Sequence, residues 1–527
     1  MFSKSLKPVS LLLALGDIAL TACVPRSRNS VQVSATVPAD ASPEIDPDFL
    51  GLAFEQNSFV RYAEDDEGNI NAFSANLMES IYLRTGGKPN IRLGGTSPDY
   101  GRYLPGQAEP ALPVAEQDNY QDIGGTTIGP SYWSYTKNFP NAVYIIQVPM
   151  ATTNVSETVA WVQSALDSVS EDQIFSIQPG NEPDLYADGF TGAGGVPLQP
   201  PDYQGTLTSA TYTGNWTQYV SVIKDAVSAV PSGRVFSALD TAKADLFLVD
   251  ECFDLGIDEG GVIKEVARHY YQGQAGTAET LGSVLMNLTL THGNLDKFRD
   301  SIDWLNANQP EIGFVLSEVG NSLQPQNTYE FQARLGSALW QVDYYLYSMV
   351  IGVKRINYQQ IMHAGYNLWL PVASAGFPAQ VFSNYYSQPF LADFIGDAGN
   401  TRVSQLSVDD ASNNIAAYAA YEDSALKRIA VINMNYWNET SSTEARGSVT
   451  LDLEVPEDVA EVTVYHLTSP AGAGAAADSI TYGGSQWTYE SLGTEVKDVR
   501  QDTETVAVEG GVASVTVASS EAVLVSI

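Results

Sequence analysis

The chain reads as an α/β protein: a (β/α)8 barrel followed by a C-terminal antiparallel β-sandwich that also takes up an N-terminal strand. Three observations predict this. From Phe49 to about Met362, eight short, nearly continuous apolar runs alternate with amphipathic stretches. Strands apolar on both faces belong to a parallel sheet covered by helices. After about Asp397 the runs become alternating apolar and polar, separated by Gly, Ser, Asp and Pro clusters, as in antiparallel strands with one wet face. Val31–Val37 alternates in the same way ahead of the first apolar run. It is therefore expected to return to the sandwich and tie the two ends of the chain together.

The barrel strands are expected at Leu50–Glu55, Asn90–Gly95, Val143–Met150, Ile174–Pro179, Arg234–Asp240, Val262–Tyr271, Ile312–Val319 and Val353–Ile361. Helical periodicity marks Ser74–Arg84, Ser156–Val169, Trp216–Val230, Leu295–Asn308 and Tyr329–Val350, with Ser156 and Thr328 as caps. Sandwich strands are expected at Ile415–Tyr421, Arg428–Asn433, Ser448–Leu453, Glu461–Leu467 and Ala513–Val525, and the Ala/Gly run Ala471–Ala477 reads as a surface loop. The resulting division is a signal segment over residues 1–23, the N-terminal strand at 31–45, the catalytic barrel at 46–395 and the sandwich at 396–527. A doubly wound sheet is the rival, but no Gly-rich dinucleotide fingerprint follows an early strand.

Of 527 residues, 44% are hydrophobic and only 17% charged, with 62 acidic against 26 basic residues and a net charge of −36. That field repels nucleic acid and anionic membrane surfaces. Lys4 and Lys7 before the apolar stretch Leu11–Leu20 have the layout of a secretory signal. The expected location is extracellular, with lipid anchoring through Cys23 in Leu20-Thr21-Ala22-Cys23 as the lesser alternative. Cys23 and Cys252 are the two cysteines, so a processed chain has one thiol and no internal disulfide. Asn154, Asn215, Asn287 and Asn438 each sit in an Asn-x-Ser/Thr acceptor that permits glycosylation.

The chemistry concentrates at two strand ends. Ile177-Gln178-Pro179-Gly180-Asn181-Glu182-Pro183 places a carboxylate just past the fourth expected strand, and Phe314-Val315-Leu316-Ser317-Glu318-Val319-Gly320 places another on the seventh. In barrels of this kind the C-terminal ends of the strands form the active face. Two carboxylates meeting there are the minimum equipment for glycoside hydrolysis. Arg92, on the second strand, is positioned for a charge-assisted hydrogen bond to one of them. Trp369, after the eighth strand, is a candidate sugar-stacking face. The four histidines, His269, His292, His363 and His466, are too scattered for a zinc site by spacing, and no cofactor motif is visible.

Asn181-Glu182-Pro183 and Glu318 resemble the acid/base and nucleophile signatures of clan A retaining glycosidases. More narrowly, the chain resembles glycoside hydrolase family 79, the β-glucuronidase and heparanase group, over most of its length. The resemblance runs through SPEIDPDFLGLAFEQ, NIRLGGTSPDY, IQPGNEPDLY, ARHYY, VLSEVGNS and the β-domain from about residue 400. It implies a retaining β-glycosidase, with an oligosaccharide, polysaccharide or proteoglycan as substrate and no cofactor. Glu182 would be the general acid/base, Glu318 the ionised nucleophile, and Asn181 the partner of the sugar 2-hydroxyl. His269 and Tyr271 match a clan pattern that orients the nucleophile. Tyr270 is the other tyrosine of that strand end, and strand alternation allows only one of the two to face the cleft.

Family members specific for uronic acids carry a Tyr-Gly-Gly-like loop soon after the nucleophile. Here that stretch reads Val319-Gly320-Asn321-Ser322-Leu323-Gln324-Pro325-Gln326. Lys354, Arg355 and His363 are the alternative basic candidates for holding a uronate. At this stage the sugar stays open between glucuronic acid and a neutral β-glycoside. A non-catalytic glycan-binding wall protein is the alternative of another class, and the presence of both carboxylates weighs against it.

Overall fold

The computed structural model describes residues 29–115, 125–188, 191–192, 196–197, 203–273, 280–323, 331–362, 367–374, 376–408 and 414–527. The signal segment and Cys23, Thr328, Gln324–Gln326 and His363 lie outside these residues. Eight parallel strands form a closed barrel: β1 (Leu50–Glu55), β2 (Asn90–Gly94), β3 (Val143–Val148), β4 (Ile174–Pro179), β5 (Phe236–Thr241), β6 (Ile263–Gly273), β7 (Gly313–Ser322) and β8 (Arg355–Gln360). The barrel closes where Leu50 to Phe54 of β1 pair with Ile356 to Gln360 of β8. The strands fall on the apolar runs of the sequence. β6 and β7 extend further than expected because their polar tails, Gln272-Gly273 and Gly320-Asn321-Ser322, continue the parallel pairing.

Around the barrel lie α1 (Ala72–Thr85), α2 (Val155–Leu166), α3 (Ser209–Ala226), α4 (Leu288–Leu295), α5 (Arg299–Asn308) and α6 (Leu335–Ile351). Asn71 caps α1 by accepting from Ser74 N. The expected cap Ser156 is instead inside α2; Asn154 is the N-cap residue, and the Ser156 hydroxyl donates to its side chain. The expected helix Leu295–Asn308 is broken by a 3-10 turn, Asp296–Phe298, between α4 and α5.

Almost every residue of α6 is buried, as required of a helix with packed surfaces on all sides. It lies between the barrel and the C-terminal domain: its Asp343 accepts from Tyr418 of the C-terminal domain at 2.6 Å and contacts His292 of α4 at 3.1 Å. The Ala/Gly run is not a surface loop. Ala473 and Ala475 are buried, and their carbonyls accept from the N–H groups of Gly336 and Leu335 at 2.9 Å each. The run thus satisfies the otherwise unpaired donors at the start of α6. Small residues allow that approach: a side chain at Gly472, where φ is +71°, would collide with the Trp437 carbonyl.

The C-terminal domain is formed by β9 (Arg402–Leu406), β10 (Ile415–Glu422), β11 (Ala425–Asn433), β12 (Ser448–Glu454), β13 (Glu461–Thr468), β14 (Thr503–Glu509), β15 (Val512–Ala518) and β16 (Glu521–Ser526). The expected single run Ala513–Val525 is two strands, because the chain turns at Ser520, where φ is +59°. Strand β14 turns the corner between the two sheets, pairing with β13 through residues 503–507 and with β15 through Val508 and Glu509. The N-terminal strand, Asn29–Val31, pairs in parallel with β12, and Thr36 bridges to Ala425 of β11. The N-terminal segment therefore touches both sheets, and Val31 and Val33 are buried in the apolar cluster between them.

Candidate active site

Inside the barrel, near the C-terminal ends of its strands, one guanidinium organises the polar side chains. Arg92 of β2 is fully buried. Its Nε donates to Gln178 of β4 at 2.7 Å and its Nη1 to Glu318 Oε2 of β7 at 2.8 Å. Nη2 reaches Gln147 of β3 at 2.8 Å, Asn181 Oδ1 at 2.8 Å and Asp240 Oδ2 of β5 at 2.7 Å. A planar fork of fixed donors can bind more acceptors from different strands at once than a lysine ammonium can. Close approach to that fork needs glycine: a Cβ on Gly94 would lie 2.7 Å from the Arg92 guanidinium carbon.

The chain leaves β4 through Gly180 at φ +89°, and Glu182 follows at φ +45°. Such a backbone is unusual for a non-glycine residue and is held only where the surroundings fix it. Here the Glu182 N–H donates to the Asp240 carbonyl at 2.8 Å, and Asn181 N–H donates to Asp99 Oδ2 at 3.1 Å. The conformation turns the Glu182 side chain onto His269 of β6, whose Nδ1 lies 2.9 Å from Oε1. The other ring nitrogen, Nε2, is 3.0 Å from Asp240 Oδ1. Glu318 is held on both oxygens, Oε2 by Arg92 and Oε1 by the Tyr271 hydroxyl at 2.6 Å. One carboxylate oxygen from each glutamate and a ring nitrogen of His269 all lie within 4.8 Å of one another.

Burial raises the pKa of Glu182 above the ordinary carboxylate value; the His269 bond and charge oppose the rise, and the Glu318 charge adds to it. Burial alone would neutralise His269 and Asp240. The Asp240 and Glu318 charges instead push the imidazole well above its usual value, and Arg92 and His269 hold Asp240 well below its own. A His between two glutamates is a ligand set by composition, but the direction of the His269 shift favours the imidazolium, which has no lone pair to give.

Further residues of the mouth were not singled out from the sequence. Glu55, at the end of β1, accepts from Ser97 N at 2.8 Å and from the Ser97 hydroxyl. Burial, then the Glu318 charge, pushes its carboxyl up to about 7. Gly95, at φ +99°, must be glycine because a Cβ there would lie 2.0 Å from Glu55 Oε2. Asp99 receives Met150 N at 2.9 Å, Ala151 N at 3.1 Å and the Tyr186 hydroxyl at 2.7 Å, so it braces the loops after β3 and β4. Asp240 and Glu55 share one signal: each is an acid closing an otherwise apolar run, in VFSALD and LGLAFE.

Of the residues expected at the site, Arg92, Asn181, Glu182, His269, Tyr271 and Glu318 are brought together. Tyr270 is not: it points out of the barrel and stacks on Tyr344 of α6 at 5.0 Å, as alternation requires. Trp369 presents no face to a sugar. It is fully buried, donates to Ser74 of α1 at 2.9 Å and packs edge-on against Phe54 and Tyr62. Lys354 and Arg355 lie at the start of β8, the opposite end of the barrel, where Arg355 pairs with Glu265 at 2.5 Å. The direction of the strand, which a list of basic residues ignores, decides that.

Fold and site together define a (β/α)8-barrel glycoside hydrolase. Residues 417–524 match the family model described as the glycosyl hydrolase family 79 C-terminal beta domain. The chain is 27% identical over 480 residues to a beta-glucuronidase of Neurospora crassa, covering 84% of this chain and 83% of that protein. It is 27% identical over 494 residues to one of Aspergillus niger, covering 88% and 87%. Among solved structures it superimposes on the 4-O-α-L-rhamnosyl-β-D-glucuronidase of Fusarium oxysporum with a TM-score of 0.77 at 19% identity, covering 94% of this chain and 100% of that one. A family 51 α-L-arabinofuranosidase from Bifidobacterium longum gives 0.61 at 13% identity, covering 94% and 99%. These likenesses together support membership of glycoside hydrolase family 79.

Proposed function

We propose that this protein is a retaining β-glucuronidase that removes terminal glucuronic acid, or its 4-O-methyl form, from glycans. The observation that carries the reading is the spacing of the two carboxylates at the mouth, within 4.8 Å at their nearest oxygens. Retaining enzymes hold the pair about 5–5.5 Å apart, whereas inverting ones leave room for a water at about 6.5–9.5 Å. Both fungal relatives described above carry the name beta-glucuronidase, which supports the choice of sugar.

In this reading Glu182, protonated, gives its proton to the leaving glycosidic oxygen while Glu318 attacks the anomeric carbon. The bond to the aglycone breaks and a glycosyl-enzyme ester forms. Glu182, now a carboxylate, then takes a proton from water as the water displaces Glu318. The raised pKa of Glu182 suits the first step. Asn181 is held by its Oδ1 on Arg92, so its NH2 is the donor it has to offer a sugar hydroxyl. The N-terminal basic and apolar segment supports export, and sequencing the N-terminus of protein recovered from the medium tests it.

A panel of aryl β-glycosides, with and without a carboxylate at C6, tests the function. Hydrolysis of the glucuronide with the β-anomer as first-formed product, read by NMR, is expected. An α-anomer first would overturn the mechanism, and faster turnover of the neutral glycosides would overturn the sugar.

A further inference from the structure

The floor of the mouth contains a carboxylate that the proposed reaction does not use. Asp240 is 2% exposed, and its carboxylate is turned to the cations of the site. Its two oxygens go to the two cations of the site: Oδ2 to Arg92 at 2.7 Å and Oδ1 to His269 Nε2 at 3.0 Å. The Ser317 hydroxyl, next in sequence to Glu318, also donates to Oδ1. Each of those cations in turn holds one glutamate, Arg92 holding Glu318 and His269 holding Glu182.

The backbone is bent to put it there. The β5–β6 register slips between Ala238 and Thr241, and Leu239 has φ +61°. A bulged strand end re-aims a side chain, and a bulky residue in the left-handed region persists only when held. Leu239 is held on both sides: its N–H donates to the Tyr212 hydroxyl at 2.8 Å, and its carbonyl accepts from Arg268. The next residue in the bulge supplies the Asp240 carbonyl that anchors the Glu182 N–H.

We propose that Asp240 is a positioning residue that holds His269 as a cation between two carboxylates, with Nε2 against Asp240 and Nδ1 against Glu182. The inference deepens the retaining-glycosidase reading and rests on it for its kinetic consequence. The groups facing His269 are Asp240 from β5, Glu182 from the β4 loop, Glu318 from β7 and, at longer range, Asp184, with Arg92 on the far side of Asp240. The carboxylates nearest the ring outnumber the cations set against them, Arg92 and, through Asp184, Arg268, so the ring keeps both protons while Asp240 is charged. A cation on Glu182 matters most in the second half of the reaction, where Glu182 must be a carboxylate to take a proton from water.

The test is Asp240→Asn in the full chain, an isosteric change that removes only the charge. With isotope-labelled histidine, the His269 resonances, assigned by their loss in His269→Gln, should titrate at lower pH in the variant than in wild type. This measurement needs no substrate, so it stands even if no glucuronide is cleaved, in which case the functional reading alone has failed. With an activated aryl glucuronide, kcat and KM should fall together as the glycosyl-enzyme accumulates, and the alkaline limb of kcat/KM should move to higher pH. An unchanged His269 titration, or a loss of kcat/KM with no movement of its pH limb, overturns the proposal. Should the variant not fold, wild type decides: a neutral His269 ring at about pH 8 in the free protein overturns it equally.

Discussion

The two ends of the barrel are built from the same chemistry and put to opposite uses. At the N-terminal end, Glu265 of β6 and Arg355 of β8 form a buried pair at 2.5 Å. The Arg355 Nε donates to Asn357 at 3.1 Å, whose amide spans to the carbonyls of Leu52 and Asn90 at 3.2 Å each, and Arg355 lies over the Phe175 ring. Charge is matched and the strands are tied together. At the C-terminal end, Glu55, Glu182, Asp240 and Glu318 surround two cations, Arg92 and His269. An excess of acids cannot all ionise at ordinary cost, so protons must be shared. A matched buried pair closes a barrel; an unmatched cluster keeps protons available for transfer.

The contrast should be sharpest in Glu318→Gln. Glucuronide hydrolysis should fall by about 10⁴-fold or more, because an amide cannot attack the anomeric carbon, while the circular dichroism and melting temperature stay near wild type. Loss of folding in that variant would place Glu318 with the structural pairs and break the comparison. Glu182→Ala should lower kcat by about 10²–10⁴-fold on substrates with poor leaving groups. Activated aryl glycosides should lose far less, and added azide should restore turnover as a glycosyl azide. Equal losses on both kinds of substrate would exclude proton donation by this residue.

At the other end, Glu265→Gln leaves Arg355 buried without its counter-charge. A loss of about 3–5 kcal/mol is expected, read as a lower denaturant midpoint, with kcat/KM at 25 °C within about threefold of wild type. A large activity loss in still-folded protein would mean the ends are coupled. The smallest effect concerns pH. Glu55 is raised from 4.5 to about 7, so between those values it binds a proton in the folded chain but not in the unfolded one. Its contribution to stability is therefore complete below about 4.5 and lost as pH rises through about 7. Melting temperatures at the two ends of this window should differ less in Glu55→Gln than in wild type.

Much of this was legible in the chain. Continuous apolar runs such as VYIIQV and IFSIQP can be buried only as inner strands, and their order already requires that Glu182 and Glu318 share one face of a barrel. Strand alternation limited the cleft to one of Tyr270 and Tyr271, and the structure puts Tyr271 there. Errors arose where the same residue type serves either face of a layer. Trp369 has the ring a sugar would stack on, yet its indole fills the space between β1 and α1. Ala471–Ala477 has the composition of a loop, but small residues also suit a buried contact at a helix start.

What the sequence determined by itself is the set of local patterns: periodicity, strand direction and the acids that end apolar runs. Each depends on residues near one another along the chain. Only the tertiary structure decided that Asp240 sits between Arg92 and His269. It also decided that the Glu265–Arg355 pair faces away from the mouth. These depend on a one-register slip in β5 and on how seven strands converge. Proton affinity in the mouth follows from charges a few ångströms apart in space and many residues apart in sequence, so it exists only once the barrel has closed.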